Sequence, residues 1–391
     1  MPDDRDQQRA AEAEALDREI LAFIAGGRGD FDGLALRLFA HQFAFNRVYR
    51  GYCLRRGRTP DTVRHWRDVP AVPTAAFKAA EIAAFPVAGA VRTFHTSGTT
   101  EGTPGRHFFE TTRLYDAALR AHFAAMMLPD GARPIMLSLT PPPAEAPHGS
   151  LVHMIAELMA EFDPTFAPDA AAERFFVRGG TVRTEGFLSA VRRSADAGRP
   201  LCLFGTAFAW VHLLDSAPVP VALPPGSRIL ETGGFKGRSR EVGRGELYDR
   251  LAQVFAVPAE HIIAEYGMTE LSSQYYDDVL IRPPAGSAAP IGSASSARGG
   301  PTDPRIKRPP PWMRPVVVDP ATLEELPAGA VGLLRHVDLA NRGSVIAVQT
   351  EDLGRIVGGG IELLGRAADA EPRGCSLAVE QLLLGDRGET P

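Results

Sequence analysis

Between residues 134 and 264 the chain alternates short apolar runs with longer segments of helical period, and this pattern restricts it to a sheet layered with helices. The runs lie at 134 to 139, 201 to 204, 228 to 230 and 261 to 264. Each is short and nearly continuous in apolar residues, as strands buried on both faces are. Helical segments, including 112 to 127 and 185 to 197, lie between them, so an α/β unit is predicted. Ahead of it, Leu16, Ile20, Leu21 and Ile24 fall at helical spacing and predict a helix over 4 to 26, ended by Gly26 and Gly27. A second helical stretch is predicted over 31 to 56, with its aromatic residues in the core. Pro70 and Pro73 predict an extended segment over 69 to 77. Arg28-Gly29-Asp30 is predicted to be a turn and not an adhesion signal. Residues 281 to 311 are crowded with Pro, Gly, Ser and Ala without periodicity, which predicts a long surface loop. Strands predicted at 315 to 318, 331 to 336 and 345 to 348 make a smaller β-rich unit.

Composition narrows the function classes. Hydrophobic residues make up 45% and charged residues 23%, ordinary values for a packed protein. The formal net charge is -5 with no long basic run, which gives nucleic acid no electrostatic support as a partner. The acidic start, Met1-Pro2-Asp3-Asp4-Arg5-Asp6, is unlike a secretory signal. No run of about 18 apolar residues occurs, so no membrane span is expected. The three cysteines, Cys53, Cys202 and Cys375, lie far apart and offer neither a disulfide framework nor a closely spaced zinc pattern. The simplest location is the reducing cytoplasm.

Three segments carry chemistry. In the first, Thr96-Ser97-Gly98-Thr99-Thr100-Glu101-Gly102, four hydroxyls and two glycines crowd one loop. Such a loop can turn many N–H and O–H donors toward one anion, and a triphosphate suits it. It is neither a Walker loop nor a dinucleotide fingerprint. In the second, Glu265-Tyr266-Gly267-Met268-Thr269-Glu270, Glu270 can reach a magnesium ion bridging phosphates. Thr269 can donate to the attacked phosphate, and Tyr266 can lie against a purine. In the third, Gln349-Thr350-Glu351-Asp352-Leu353-Gly354, Asp352 at the end of a β-run can accept both hydroxyls of a ribose. Taken singly, each also fits a structural reading: a polar loop, a strand exit, a solvent-facing turn.

In this order the three segments resemble the adenylate-forming superfamily of acyl-CoA synthetases, peptide-synthetase adenylation domains and firefly-type luciferases. Residues 96 to 100 match its Thr-Ser-Gly-Thr-Thr phosphate loop. Residues 266 to 270 match Tyr-Gly-x-Thr-Glu. Residues 350 to 352 match Thr-Gly-Asp, with Glu351 in place of glycine. Gly365-Arg366 matches the Gly-Arg pair that opens the superfamily's hinge. Within it the chain is similar to the LuxE-type acyl-protein synthetases, the fatty-acid ligases of bacterial bioluminescence. The stretches that carry this are 72 to 78, Gly105-Arg106-His107, Glu231-Thr232-Gly233-Gly234-Phe235-Lys236, 311 to 315, 338 to 344 and Arg373-Gly374-Cys375-Ser376-Leu377. Two departures stand out. Glu101 is inserted before Gly102, and Gly105 stands where a lysine is usual, leaving Arg106 as the nearest cation. The sequence also ends 17 residues past Gly374, where most members continue into a lid domain bearing a catalytic lysine.

The resemblance implies an adenylate-forming α/β fold of layered sheets and helices, with a helical N-terminal extension and no lid. The expected division is a helical segment over 1 to 85, an α/β adenylation core over 86 to 280, the loop over 281 to 314, the β-rich unit over 315 to 366 and a tail over 367 to 391. It implies ATP and magnesium as cofactors, a carboxylic acid as substrate and acyl-AMP as product. The nucleotide would be held by Thr96, Ser97, Gly98, Thr99, Thr100 and Arg106, by Gly233 and Gly234, by Tyr266 and Gly267, and by Asp352 and Arg366. Thr269, Glu270 (holding Mg) and Lys236, in place of the lid lysine, would serve the reaction. Cys375, beside Arg373, would receive the acyl group as a thiolate. It would then deliver the group to a partner such as an acyl-reductase, an acyltransferase or a carrier protein. Cys53 and Cys202 are expected in the core. Two other readings stay open: an aryl- or amino-acid-activating ligase that transfers to a carrier protein or coenzyme A, and a non-catalytic nucleotide-binding subunit of a reductase complex.

Overall fold

The structure, a computed structural model, describes residues 4–96, 104–233, 243–282 and 304–367. The chain divides into two compact units. The first comprises Met1–Ala121, Met268–Gln274 and Arg308–Pro391, and the second His122–Gly267 and Tyr275–Lys307.

The first unit opens with helix Asp4–Gly26, whose buried face carries Leu16, Ile20, Phe23 and Ile24. It stops at Gly27, whose φ of 62° a side chain would resist. The helical stretch predicted over 31 to 56 is two helices, Phe31–Phe45 and Arg47–Arg55. Asn46 breaks it, because its extended backbone lets its own side chain cap the Tyr49 N–H at 3.0 Å. Asp30, in the predicted turn, caps the first of these helices through the Gly33 N–H. Tyr49 and Tyr52 donate to the carbonyls of Pro70 and Ala71 at 2.7 and 2.8 Å, docking the extended segment. That segment is shorter than predicted: Val72–Pro73 is a strand, but Ala76–Ala79 turns helical.

The sheet of this unit is an antiparallel meander of Met313–Val318, Gly332–Asp338, Ala347–Val357 and Gly360–Arg366, with Val72–Pro73 running parallel to Val348 and Gln349. The third strand continues nine residues past the predicted end at 348, and the fourth was not foreseen, since its sequence holds two glycines and two charges. Arg92–His95 and Arg106–Phe109 form a separate hairpin.

The second unit holds the predicted parallel strands at Ile135–Leu139, Leu201–Thr206, Arg228–Thr232 and Ile262–Tyr266, adjacent in that order. Tyr275–Asp277 adds antiparallel to the last. Every residue of the second pair of these parallel strands is buried, which is why they read as unbroken apolar runs. Helices Thr184–Asp196, Ala207–Asp215 and Arg244–Phe255 cover the sheet with Phe187, Trp210 and Phe255. Trp210 lies so close to Gly205 that an added Cβ there would stand 2.7 Å from its ring. Within the predicted loop, Lys307–Arg308 is a short strand, and Lys307 is buried.

Candidate active site

In the first unit the hairpin closes on a neck. The Thr96 N–H donates to the Gly105 carbonyl, and the Gly105 N–H returns to the Thr96 hydroxyl, both at 2.9 Å. The expected phosphate loop leaves from this neck. Ser97, Gly98, Thr99 and Thr100 lie outside the described residues, whereas Thr96 belongs to the neck itself. Gly105 is needed for closure: an added Cβ would meet the Thr96 side chain at 3.0 Å and the Phe77 backbone at 3.2 Å. This accounts physically for a glycine where a lysine is usual. Arg106 pairs with Glu81 at 3.2 Å and lies over the Phe108 ring, both partly in solvent.

The hairpin also holds the second motif. His107 is buried beside Phe77 and Phe109, and burial lowers its imidazole to about 4 despite an opposing hydrogen bond. The ring is therefore neutral, and its Nδ1–H donates to the Thr269 carbonyl at 2.7 Å, since a carbonyl only accepts. The Thr269 hydroxyl reaches the His95 carbonyl at 3.4 Å. On the following residues the loop at 338 to 344 is the anchor. Asn341 Nδ2 donates to the carbonyls of Glu270 and Val345, both at 2.9 Å, and its Oδ1 contacts the Ser272 hydroxyl. Asp338 accepts from the Ser272 N–H, the Ser273 hydroxyl and the Ala340 N–H. Burial still pushes its carboxyl up to about 6. Arg342 clamps the same loop to the first helix through Asp17 at 2.8 Å and to the hairpin's end through Glu110 at 2.7 Å.

Asp352 sits inside strand Ala347–Val357 and not at a strand end, directly across from Arg366, and the two side chains pair at 3.3 Å. The Thr-x-Asp and Gly-Arg motifs are thus cross-strand neighbours. Thr350 aims the carboxylate: its hydroxyl donates to the Leu334 carbonyl and accepts the Asp352 N–H. The Asp352 side chain keeps 15% of its surface accessible.

In the second unit, Glu231, Thr232 and Gly233 end one parallel strand, and Glu265 and Tyr266 end the next, with Thr232 opposite Glu265. Ligands of open parallel sheets bind beyond these carboxyl ends. The Thr232 hydroxyl donates to the Glu265 carboxylate, and Tyr248 donates to Glu231 at 3.1 Å. Burial raises Glu265 to about 7, although Thr232 and Lys307 oppose it. Lys307 bonds the Ala264 carbonyl at 3.2 Å and Asp277 at 3.1 Å. Burial alone would raise Asp277, but Lys307 and Arg305 outweigh it and hold the carboxyl below its usual range. Tyr266 is buried with its ring 5.6 Å from that of Tyr275, and Gly267 follows it. Gly234, Lys236 and Cys375 lie outside the described residues.

Sequence reasoning missed His107, Asp338, Asn341, Glu265 and Lys307. His107, Asp338 and Asn341 stand in stretches quoted for their resemblance, and Glu265 opens the second segment without a role assigned; nothing in the sequence marks Lys307. A divalent ion can be tested against this donor set. No group of three or more ligating side chains that could hold a metal occurs among the described residues. Glu270 is the one carboxylate expected to hold magnesium, and its carbonyl is fixed by Asn341. No helix is long and apolar enough to cross a membrane among the described residues.

No protein-family profile matches the chain. Among solved structures it is similar to 2-hydroxyisobutyryl-CoA ligase in an open conformation with 2-HIB-AMP and CoA, with a TM-score of 0.57 and 14% identity over 85% of this chain and 73% of that one. The chain shares the fold of this ligase. Along its sequence the chain is similar to the long-chain-fatty-acid–luciferin-component ligases. It is 20% identical to that of Aliivibrio fischeri over 368 residues, 90% of this chain and 88% of the relative. It is 22% identical to that of Vibrio harveyi over 361 residues, 88% and 85% of the two chains. The chain spans about half the length of some solved structures it matches: 47% of ATP-bound MatB from Rhodopseudomonas palustris, with a TM-score of 0.45 and 16% identity over 70% of this chain.

Proposed function

We propose that this protein activates a carboxylic acid, a fatty acid by analogy with its sequence relatives, as an acyl-adenylate. A carboxylate oxygen attacks the α-phosphorus of ATP, the bond to the bridging oxygen breaks, and pyrophosphate leaves. The acyl carbon is then attacked by a thiolate, proposed to be that of Cys375, and AMP leaves. A reductase, transferase or carrier protein would take the acyl group onward. The observation that carries the reading is the pairing of Asp352 with Arg366 across two strands of the unit that also anchors Thr269 and Glu270. These motifs are far apart in sequence, and each is held by its own hydrogen bonds, that of Asn341 to Glu270 buried and that of Arg366 to Asp352 exposed.

In this reading the loop at 96 to 100 binds the β- and γ-phosphates and Thr269 the α-phosphate. Glu270 would hold magnesium, which when bound would supply positive charge for the leaving pyrophosphate. Asp352 receives the ribose hydroxyls, Tyr266 with Gly233, Gly234 and Gly267 borders the base, and Lys236 meets the attacking carboxylate. The test is pyrophosphate release by the purified chain across fatty, aromatic and amino acids. Release with a long-chain acid, reduced about 100-fold or more in Asp352→Ala at unchanged melting temperature, is expected; a loss of this order reflects a charge-assisted bond kept through the transition state. No release with any acid would leave a nucleotide-binding subunit in its place.

A further inference from the structure

A cavity of about 620 Å³ in the first unit is lined by the first and third helices, the segment from Lys78 to Val87 and Arg106. Its volume is that of an organic-ligand pocket. Six cations face it: Arg5 and Arg9, one turn apart on the first helix, Arg47 and Arg50, one turn apart on the third, and Lys78 and Arg106. Asp6 and Glu81 are the carboxylates in the lining, and Glu110 outside it pairs with Arg9, so cations outnumber carboxylates here in a chain whose net charge is -5.

Arg5 donates to the Ala44 carbonyl at 3.1 Å. Arg9 uses one terminal nitrogen on Glu110 at 2.8 Å, while its buried Nε has no hydrogen-bond partner among the described residues. Arg106 uses one on Glu81. Arg50 and Lys78 make no ion pair among the described residues. Apart from Asn46 the remaining lining is apolar, with Phe45, Val48, Ala83 and Phe85. Like charges held around an apolar floor repel one another, and an anion with an organic body relieves this by accepting guanidinium forks while covering the floor.

We propose that this cavity binds a multiply phosphorylated organic anion of about the size of a nucleotide. Two sources share that chemistry: a phosphorylated thiol such as coenzyme A, whose sulfur would take the acyl group from the Cys375 thioester and free that thiol, or a second nucleotide. The role as acceptor site rests on the acyl-activation reading; the binding itself does not.

The experiment titrates coenzyme A, ATP, pantetheine and inorganic pyrophosphate separately into the full-length protein by calorimetry. The wild type is compared with Arg50→Glu/Lys78→Glu and with the milder Arg50→Gln/Lys78→Gln. Both positions lie outside the proposed adenylation residues, so pyrophosphate release should stay within about twofold in the Gln variant, the factor RT sets for a few tenths of a kcal/mol. Saturable coenzyme A binding that weakens with salt and falls at least tenfold in either variant, with pantetheine inactive, assigns the acceptor. The same pattern for ATP alone assigns a second nucleotide. Binding that neither variant weakens, or pyrophosphate bound as tightly as the organic anions, overturns the proposal. Coenzyme A binding without pyrophosphate release from any acid would retain the site and remove the acyl-activation reading.

Discussion

Burial sets the behaviour of single residues here. The Glu265 carboxyl, raised to about 7 from 4.5, favours the folded state when protonated. That contribution is complete below pH 4.5 and is lost as pH rises through 7, by up to about 3 kcal/mol. Glu265→Gln should therefore match the wild type in thermal stability near pH 4.5 and exceed it increasingly above pH 7. A stability difference that does not change with pH would mean that Glu265 ionises freely. The Arg342 and Asp17 side chains are 4% and 2% exposed, so neither charge has water to fall back on. Arg342→Ala should cost about 3–5 kcal/mol in denaturant unfolding, because it leaves Asp17 charged and buried. A cost under 1 kcal/mol would mean that Asp17 is reached by water. The sequence announced neither effect: a Glu beside a motif and an Arg in a polar stretch look the same whether buried or exposed.

At the scale of elements, the hairpin and the loop at 338 to 344 hold what the motifs need. The hairpin neck is closed by Thr96 and Gly105, and Gly105→Ala must push the Thr96 side chain or the Phe77 backbone aside. A loss of about 1–3 kcal/mol is expected, with pyrophosphate release falling further than stability explains. Gly89→Ala is the control, since a Cβ there meets nothing within 4 Å. Equal behaviour of the two variants would show that the neck has room. The strands of the second unit were legible because burial on both faces forces continuous apolar runs. The break at Asn46 and the strand Gly360–Arg366 were not, since one depends on a cap and the other on a neighbouring strand already in place.

For the molecule as a whole, the two cysteines among the described residues share one environment, since both are buried. Burial pushes Cys53 and Cys202 up to about 12, so neither is a thiolate at neutral pH. After incubation with acid and ATP, mass spectrometry should find the acyl adduct on the peptide holding Cys375 and none on those holding Cys53 or Cys202. An adduct on either buried thiol, or adenylate without any adduct, would move the acceptor elsewhere. The sequence by itself determined the α/β layering and the order of the three motifs, because both are written in local patterns: apolar runs, hydroxyl and glycine crowding, a carboxylate after a threonine. Only the tertiary structure decided how the motifs are held and where the charges collect. Gln42 bonds the carbonyl of Asn341 across 299 residues, and Asn341 in turn holds Glu270. The basic cavity gathers side chains from residue 5 to residue 106. Hydrogen bonds and fields act through space once water is excluded, and no periodicity along the chain records which distant groups will share that space.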